Sequence, residues 1–306
     1  MKKILTILVS LLMIFTLCAC STGESTDTPA ADGTNDTVAI GLAVSTQTNP
    51  FFVTLVEGAQ AKADELGVTL YVADAGDDVA KQASDIEDLI SKNIQVLIVN
   101  ACDSDAVGPT VQEAIDKGIK VIAVDRAVNG ATVDCFIASD NVLGAKLAAE
   151  YLVEKAGEGA ACIELQGILG ASATVDRGAG FHEVADSKLN VVASQTANFD
   201  RAEGMSVMED LLQANPDALC VFAHNDEMAL GAVEACTGKN ILIAGFDATD
   251  DALAAVKAGT MLATVAQQPA LMGSTAVEKA LDIINGKTVD ANCPVEVKLV
   301  TADTVE

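Results

Sequence analysis

The chain has 306 residues, of which half are apolar and only 3% aromatic, and its formal net charge is −26. This charge argues against nucleic acid and anionic membrane surfaces as partners, because both attract basic patches. The apolar content is sufficient for sizeable cores, and the length favours two domains.

Residues 1–19 are predicted to be a signal peptide. A basic start, "MKK", precedes the apolar run "ILTILVSLLMIFTL" and then "LCAC". The run is short for a transmembrane helix. The final tetrapeptide resembles the bacterial lipobox, whose last cysteine is acylated, so we expect Cys20 to anchor the exported protein to the outer face of the cell membrane. An ordinary signal peptide that contains two cysteines is the alternative.

Residues 20–36 are predicted to be a lipidated tether. After Cys20 the stretch "STGESTDTPAADGTND" is rich in Ser, Thr, Asp and Gly and has no large apolar residue. Such a stretch buries too little surface to offset its chain entropy, so we expect a flexible linker.

From Val38 onward, short apolar runs alternate with amphipathic segments. The first half contains the predicted strands "VAIGLAV", "VTLYVAD", "QVLIVN", "KVIAVD" and "VDCFIAS", with helices at 51–66, 79–92 and 105–117. After a longer helix at 140–156 come the strands "AACIELQG", "NVVASQTA", "ALCVFAHN", "ILIAGFD" and "MLATVAQ". Nearly continuous apolar strands are typical of parallel sheets buried on both faces. The pattern predicts an α/β protein with two doubly wound parallel-sheet domains.

Polar residues follow the carboxyl ends of these strands, where ligands bind in open parallel sheets. They include Asn49, Asn100, Asp125, Arg126, Ser139, Asn141, Arg177, Asn225, Asp247 and Gln267, with Phe199 and Phe246 among them. Single Asn, Asp and Ser residues commonly cap helices, but capping does not explain the arginines, Gln267 or the phenylalanines. Carboxylate, amide and guanidinium groups beside flat rings suit a neutral polyhydroxylated ring.

Several segments carry a family resemblance: "NPFF", "DSDAVG", "IASDNVLG", "EKAGEGA", "IELQG", "NDEMALGA", "GFD" and "KLV". From about Val38 to Val300 the chain resembles the exported sugar-binding proteins of bacterial ABC importers, most closely those for ribose. The resemblance implies the type I periplasmic-binding-protein fold, with two lobes joined by a three-segment hinge. The implied lobes are 37–139 plus 268–296 and 140–267 plus 297–306.

The resemblance also implies which residues contact the sugar. They are Asn49, Phe51, Phe52, Asn100, Asp125, Arg126, Ser139, Asn141, Arg177, Phe199, Asn225, Phe246, Asp247 and Gln267. Phe51 and Phe52 would pack on one face of the ring and Phe199 on the other. The chain departs from the family pattern at His224, where an amide is expected, and lacks a proline expected after Asn100. It also has one arginine where two are expected in "SATVDRGAGF".

The resemblance implies capture of a monosaccharide, with D-ribose favoured, and delivery to the transmembrane subunits of an ABC permease. Allose, xylose, arabinose and galactose are the alternative ligands, and a chemoreceptor is an alternative or additional partner. We expect a monomer with no cofactor. Membrane contact would be through the lipid anchor alone.

Two other classes of protein fit the sequence less well. An enzyme would use Asp125 and Asp247 as a carboxylate pair, but adjacent arginines are expected to keep both ionised, and no nucleophile-base pair is evident. A regulator of the lactose-repressor type would need a basic helix-turn-helix at the N-terminus, where this chain has the predicted signal peptide and tether. Gly167-x-x-Gly170 matches neither a dinucleotide fingerprint nor a P-loop.

The cysteines give no sign of a metal site. Six follow Cys20, without a CxxC motif or a Cys/His pair at zinc spacing. We therefore predict no metal and mostly free thiols, because cysteines inside apolar strands behave as small hydrophobes.

Overall fold

The computed structural model describes residues 38–305. In this part of the chain the strands are β1 (Ala39–Val44), β2 (Thr69–Asp74), β3 (Val96–Val99), β4 (Lys120–Val124), β5 (Cys135–Ser139), β6 (Ala161–Gln166), β7 (Asn190–Thr196), β8 (Cys220–Ala223), β9 (Leu242–Asp247), β10 (Ala263–Ala266), β11 (Asn292–Val295) and β12 (Lys298–Thr301). The helices are α1 (Pro50–Leu66), α2 (Val79–Ser91), α3 (Gly108–Asp116), α4 (Asn141–Ala156), α5 (Ser172–Lys188), α6 (Arg201–Ala214), α7 (Asp226–Ala235), α8 (Asp250–Ala258) and α9 (Pro269–Ile284).

The first sheet has the strand order β11-β5-β4-β3-β1-β2, and every pair in it is parallel. All four residues of β3 are buried, as expected for a strand covered on both faces. Helices α1 and α9 supply the core on one face, for example Leu55 and Met272. Helices α2 and α3 supply the other, with Ile86 and Val111.

The second sheet has the order β12-β10-β9-β8-β6-β7, with β12 antiparallel to β10 and the remaining pairs parallel. Helices α4 and α5 cover one face, with Leu152 and Phe181 in the core. Helices α6, α7 and α8 cover the other, with Met208 and Val256. The predicted α/β fold with two doubly wound sheets is confirmed.

The chain passes between the two sheets three times. The passages lie between β5 and α4, between β10 and α9, and between β11 and β12. Each passage is one or two residues long, and the last two are held together because the Gln268 Nε2 donates to the Glu296 carbonyl at 3.1 Å. Short connections of this kind put few backbone bonds between the two sheets.

All ten predicted strands are present, but each sheet has a sixth strand that the sequence pattern did not predict. The unpredicted strands β11 and β12 have only four residues each and lie at sheet edges. Pro294 also weakens the strand signal of β11, although an edge strand tolerates a proline. Gly67 ends α1 in the left-handed conformation, with φ 67°, directly after the predicted helix 51–66.

The predicted signal peptide, the tether and Cys20 lie outside the described residues. No helix of residues 38–305 is long and apolar enough to cross a membrane. Within the same residues, no group of His, Cys, Asp and Glu side chains is arranged to hold a metal ion. The six cysteines of this region are free thiols.

Candidate ligand-binding site

One cavity of about 250 Å³ is lined from both sheets. Its lining residues are Asn49, Phe51, Phe52, Asp125, Arg126, Ala173, Arg177, Phe199, Asn225, Asp247 and Gln267. Ten of these were predicted from the sequence as ligand contacts, and they come from loops and helix starts at the carboxyl ends of the strands. The cavity therefore lies where open parallel sheets bind their ligands.

Two of the lining asparagines are also helix caps. The Asn49 side-chain oxygen accepts from the Phe51 backbone N–H at 2.9 Å and so begins α1. Likewise the Asn225 oxygen accepts from Met228 N–H at 3.0 Å, while its Nδ2 donates to the Phe199 carbonyl at 3.1 Å. Capping fixes both side chains in place at the cavity wall. A helix cap can therefore also line the cavity.

The two phenylalanines of the first turn of α1 pack on each other. Phe51 and Phe52 meet edge to face, with ring centroids 5.1 Å apart. The Arg126 guanidinium lies over the Phe52 ring at 5.1 Å and over the Phe199 ring at 5.3 Å. Arg126 thus contacts aromatic rings from both halves of the cavity.

Asp125 has an unusual backbone conformation, with φ 63°. A positive φ is uncommon for a residue other than glycine and is a feature of binding sites. The Asp125 Oδ2 accepts from Asn100 Nδ2 at 3.1 Å, and the Arg126 Nη1 donates to the Ala101 carbonyl at 2.9 Å. Both charged side chains are therefore fixed by the loop after β3.

Arg177 is held from three sides. Its Nε donates to Asn141 Oδ1 at 2.8 Å, and its Nη1 donates to the His224 carbonyl at 2.6 Å. The guanidinium lies 3.9 Å above the Phe246 ring, and Nη1 is 3.8 Å from Asp247 Oδ1. These contacts leave the guanidinium little freedom to move.

Burial dominates the electrostatics of the site. It raises the pKa of the Asp125 and Asp247 carboxyls, and the nearby guanidinium groups only partly oppose this rise. The nearby arginines lower the pKa of both carboxyls, as expected from the sequence, but removal from water has the larger effect. The two acidic side chains, Asp125 and Asp247, formally balance the charges of Arg126 and Arg177. This balance favours a neutral ligand, because the charge of an ionic ligand would be buried without a partner.

Three lining residues keep a buried polar atom that has no hydrogen-bond partner among the described residues. They are the Asp125 Oδ1, the Arg126 Nε and the Gln267 Oε1. Buried polar atoms are almost always paired in folded proteins, so unpaired ones at a cavity indicate a ligand's position. A hydroxyl group both donates and accepts, and so matches a site that offers both kinds of atom.

Four predicted contacts do not line the cavity: Asn100, Ser139, Asn141 and Phe246. Asn100 holds Asp125, whereas Asn141 and Phe246 hold Arg177. Ser139 is buried at the end of β5. Asn100, Asn141 and Phe246 therefore lie one layer behind the lining, where they contact the charged side chains that face the cavity.

Sequence reasoning missed Ala173, which lines the cavity from the first turn of α5. A small apolar residue gives no chemical signal in a sequence. His224, where the chain departs from the family pattern, is fully buried with its Nε2 2.9 Å from Glu164 Oε1. It acts as a support, since its carbonyl accepts from Arg177.

The loop after β6 needs its glycines, Gly167 and Gly170, because other residues pack closely against them. A Cβ at Gly167 would overlap the Phe199 ring, and a Cβ at Gly170 would overlap the Asp103 carboxylate. The Gly170 carbonyl accepts from Ser104 N–H at 2.9 Å, which joins loops that follow strands of the two different sheets. The glycines thus make room for a cavity wall and for contact between the two halves.

Comparison with known proteins agrees with this geometry. A family model described as a periplasmic binding protein domain matches residues 40–288. The ribose import binding protein RbsB of Bacillus subtilis (strain 168) is 46% identical over 304 residues, covering 98% of this chain and 99% of that protein. The protein of the same description from Escherichia coli (strain K12) is 49% identical over 265 residues, covering 85% and 90%.

Solved structures agree as well. A periplasmic solute-binding protein of an ABC transporter from Actinobacillus succinogenes 130Z, with bound D-allose, has a TM-score of 0.81 at 30% identity. The match covers 88% of this chain and 99% of the Actinobacillus protein. The Caulobacter myo-inositol binding protein has a TM-score of 0.83 at 30% identity, covering 88% and 94%.

The matched model and these relatives span almost all of the described chain. Proteins of this family bind solutes outside the cytoplasm as a component of transport, and they catalyse no reaction. The expectation that this protein is not an enzyme is therefore confirmed. The chain belongs to the periplasmic binding protein family.

Proposed function

We propose that this protein captures D-ribose in the cavity between its two sheets and delivers it to the membrane subunits of an ABC importer. The observation that carries the proposal is the pairing of Asp125 with Arg126 and of Asp247 with Arg177 in one buried cavity beside aromatic rings. The relatives described as ribose import binding proteins, at 46% and 49% identity, support the choice of ribose.

The chemistry of the lining suits a small sugar. Carboxyl and amide oxygens accept from hydroxyl groups, whereas guanidinium and amide N–H groups donate to them. Phenylalanine rings provide flat apolar surfaces for the C–H faces of the sugar ring. Because all of these lining residues except Asn49 are buried, most of the hydrogen bonds form with little competition from water.

The mechanism we propose is closure of two lobes over the sugar. The lobes are residues 37–139 plus 268–296 and residues 140–267 plus 297–306, and the three short passages between the sheets serve as the hinge. Asp125 and Arg177 follow strands of different sheets, so neither lobe alone surrounds a ring. Sugar binding then favours the closed form, because only that form makes both sets of contacts.

We further propose that the mature protein is a monomer anchored by acylated Cys20 to the outer face of the cell membrane. The lipobox-like "LCAC" and the polar tether after it support this proposal. Anchoring keeps the binding protein near the importer while the tether leaves the lobes free to close. Signalling to a chemoreceptor, alone or beside transport, stays an alternative.

Isothermal titration of the purified protein against a panel of neutral monosaccharides tests the proposed ligand. The panel includes ribose, allose, arabinose, xylose and galactose, with myo-inositol as a cyclic polyol. We expect ribose to bind most tightly, with no change in the recovered sugar. A different aldose as the tightest ligand favours the second candidate, which the structures of relatives with bound D-allose and D-arabinose support. Absence of heat with every sugar would contradict the proposal.

A further inference from the structure

Two thiols face each other on neighbouring strands of the first sheet. Cys135 is on β5 and Cys293 is on the edge strand β11, and their Sγ atoms are 3.6 Å apart. In the strand register, Cys293 pairs with Ile137, two residues beyond Cys135 on β5. Side chains two apart on a strand share one face, so the two thiols lie diagonally across the same face of the sheet.

The two thiols differ in their access to solvent. Cys135 is fully buried, whereas Cys293 is half-buried and lines a surface groove of about 660 Å³ together with Gln268, Leu271 and Glu296. Gln268 and Glu296 belong to two of the three passages between the sheets. A small molecule in the groove would therefore reach Cys293 first, with Cys135 directly behind it.

We propose that Cys135 and Cys293 are a redox-active pair that forms a disulfide by exchange with a small-molecule disulfide entering this groove. The Cys293 thiolate, which lines the groove, attacks one sulfur of the oxidant, forms a mixed disulfide and releases one thiol. Cys135 then attacks the Cys293 sulfur, closes the intramolecular bond and releases the second thiol. Two protons leave the protein, and its two electrons reduce the oxidant.

The order of attack follows from burial and spacing. Burial and the neighbouring Cys293 thiol raise the pKa of Cys135 to about 12, so Cys135 is a poor first nucleophile. Closing the bond requires the sulfurs to approach to about 2.05 Å. The four-residue edge strand β11 is bonded on one side only and two of its residues are exposed, so it is the element that can shift.

A second thiol pair provides an internal comparison. Cys162 and Cys220 are directly opposite each other on β6 and β8, with their side chains in contact. Both are fully buried in the core of the second sheet. Access for an oxidant, rather than the closeness of two sulfurs, therefore distinguishes Cys135 and Cys293.

The bond would fasten β11 to β5, the strands that lead into the third and first passages between the sheets. Both cysteines lie in the same sheet, so the bond would not lock the two lobes together. The expected effect is a higher melting temperature with sugar affinity unchanged within about twofold. A disulfide that closes a long loop restricts the unfolded chain, and we expect a rise of about 5 °C or more.

The test is exposure of the purified full-length protein to oxidised glutathione, followed by alkylation with N-ethylmaleimide and peptide mass spectrometry. We expect a cross-linked peptide pair containing Cys135 and Cys293, and a melting temperature that returns to its starting value with dithiothreitol. The Cys293→Ser variant loses both effects, whereas the Cys162→Ser variant keeps them. Cys135→Ala serves as a second variant if Cys293→Ser fails to fold.

Any of three results overturns the proposal. In the first two, both thiols remain fully alkylated after oxidation, or glutathione stays on Cys293 as a stable mixed disulfide. A cross-link between other cysteines also overturns it. Only the affinity measurement rests on the proposed sugar-binding function. Because peptide mapping does not depend on that function, failure of one proposal is distinguishable from failure of the other.

Discussion

The guanidinium of Arg177 stacks on the ring of Phe246, with its central carbon 3.9 Å from the ring centroid. Phe246 is fully buried, and a Cβ at Gly144 would come within 2.7 Å of its ring. The ring therefore has no room to move away from the arginine. Phe246 therefore positions Arg177 at the cavity and does not itself line it, whereas the sequence predicted a ligand contact.

Replacing either cavity carboxyl should weaken sugar binding. A hydrogen bond to a charged group contributes about 1.5–3 kcal/mol, so Asp125→Ala or Asp247→Ala should raise the Kd roughly tenfold to more than a hundredfold. Titration calorimetry measures the change. Asp303→Ala, at an exposed aspartate, is the control that should leave the Kd unaltered. Unchanged affinity in both cavity variants would remove the basis for the site.

A methyl group at Gly167 should displace the Phe199 ring from the cavity wall, because the added Cβ would overlap that ring. Overpacking costs about 1–3 kcal/mol, so Gly167→Ala should weaken sugar binding roughly fivefold to more than a hundredfold. The matched control is Gly178→Ala in α5, where the nearest atom to a new Cβ is 3.6 Å away. This control should keep its affinity and be as stable as the parent or slightly more so. Equal Kd values for both variants would contradict the role of Gly167.

Asp226 should make stability depend on pH. Its carboxyl accepts from Thr264 Oγ1 at 2.6 Å and from Thr249 N–H at 2.8 Å, but burial raises its pKa to about 7. The folded state therefore binds this proton more tightly than the unfolded state, whose pKa is near 3.8. The resulting stabilisation is complete below about pH 4 and is lost as the pH rises through about 7.

Urea unfolding of the parent and of Asp226→Asn at several pH values measures this contribution. Because asparagine does not titrate, the free energy of unfolding of the parent relative to the variant should fall between pH 4 and pH 7. Titrating groups that do not interact with Asp226 are common to both proteins and cancel in the difference. A difference that stays constant across this range would show that Asp226 does not carry the shift.

The lipobox-like segment predicts how the protein is held at the membrane. Cys20→Ala should release the protein from the membrane fraction or block its processing, because no acyl chains would be attached. Cell fractionation and N-terminal sequencing measure both effects, and Cys18→Ala is the matched control. A fully soluble parent protein whose mature chain starts elsewhere than Cys20 would rule the anchor out.

Sugar should close the two lobes. The cavity is lined from both sheets, and only one or two residues form each passage between them, so a few backbone rotations move each lobe as a rigid body. Small-angle scattering of an open sugar-free protein should show a smaller radius of gyration once sugar is added. The same radius with saturating sugar demonstrably bound would leave closure unsupported.

Much of the lining of the cavity was predictable from local sequence. Asp125 and Asp247 follow apolar strands directly, and the carboxyl ends of parallel strands meet at one edge of a sheet. Asn100, Asn141 and Phe246 satisfy the same rule, yet they lie behind the lining. The rule places a residue at the correct edge, but how deep its side chain lies depends on what packs in front of it.

The sequence by itself determined the ten main strands and the ends of the first helices, since both depend on local properties. A buried parallel strand needs apolar residues on both faces, and a left-handed glycine such as Gly67 ends a helix within a few bonds. Only the tertiary structure decided that Arg126, which follows β4 of the first sheet, contacts Phe199, which follows β7 of the second sheet. It also paired the edge strand β11 with β5, because contacts across long stretches of chain arise only when the sheets assemble.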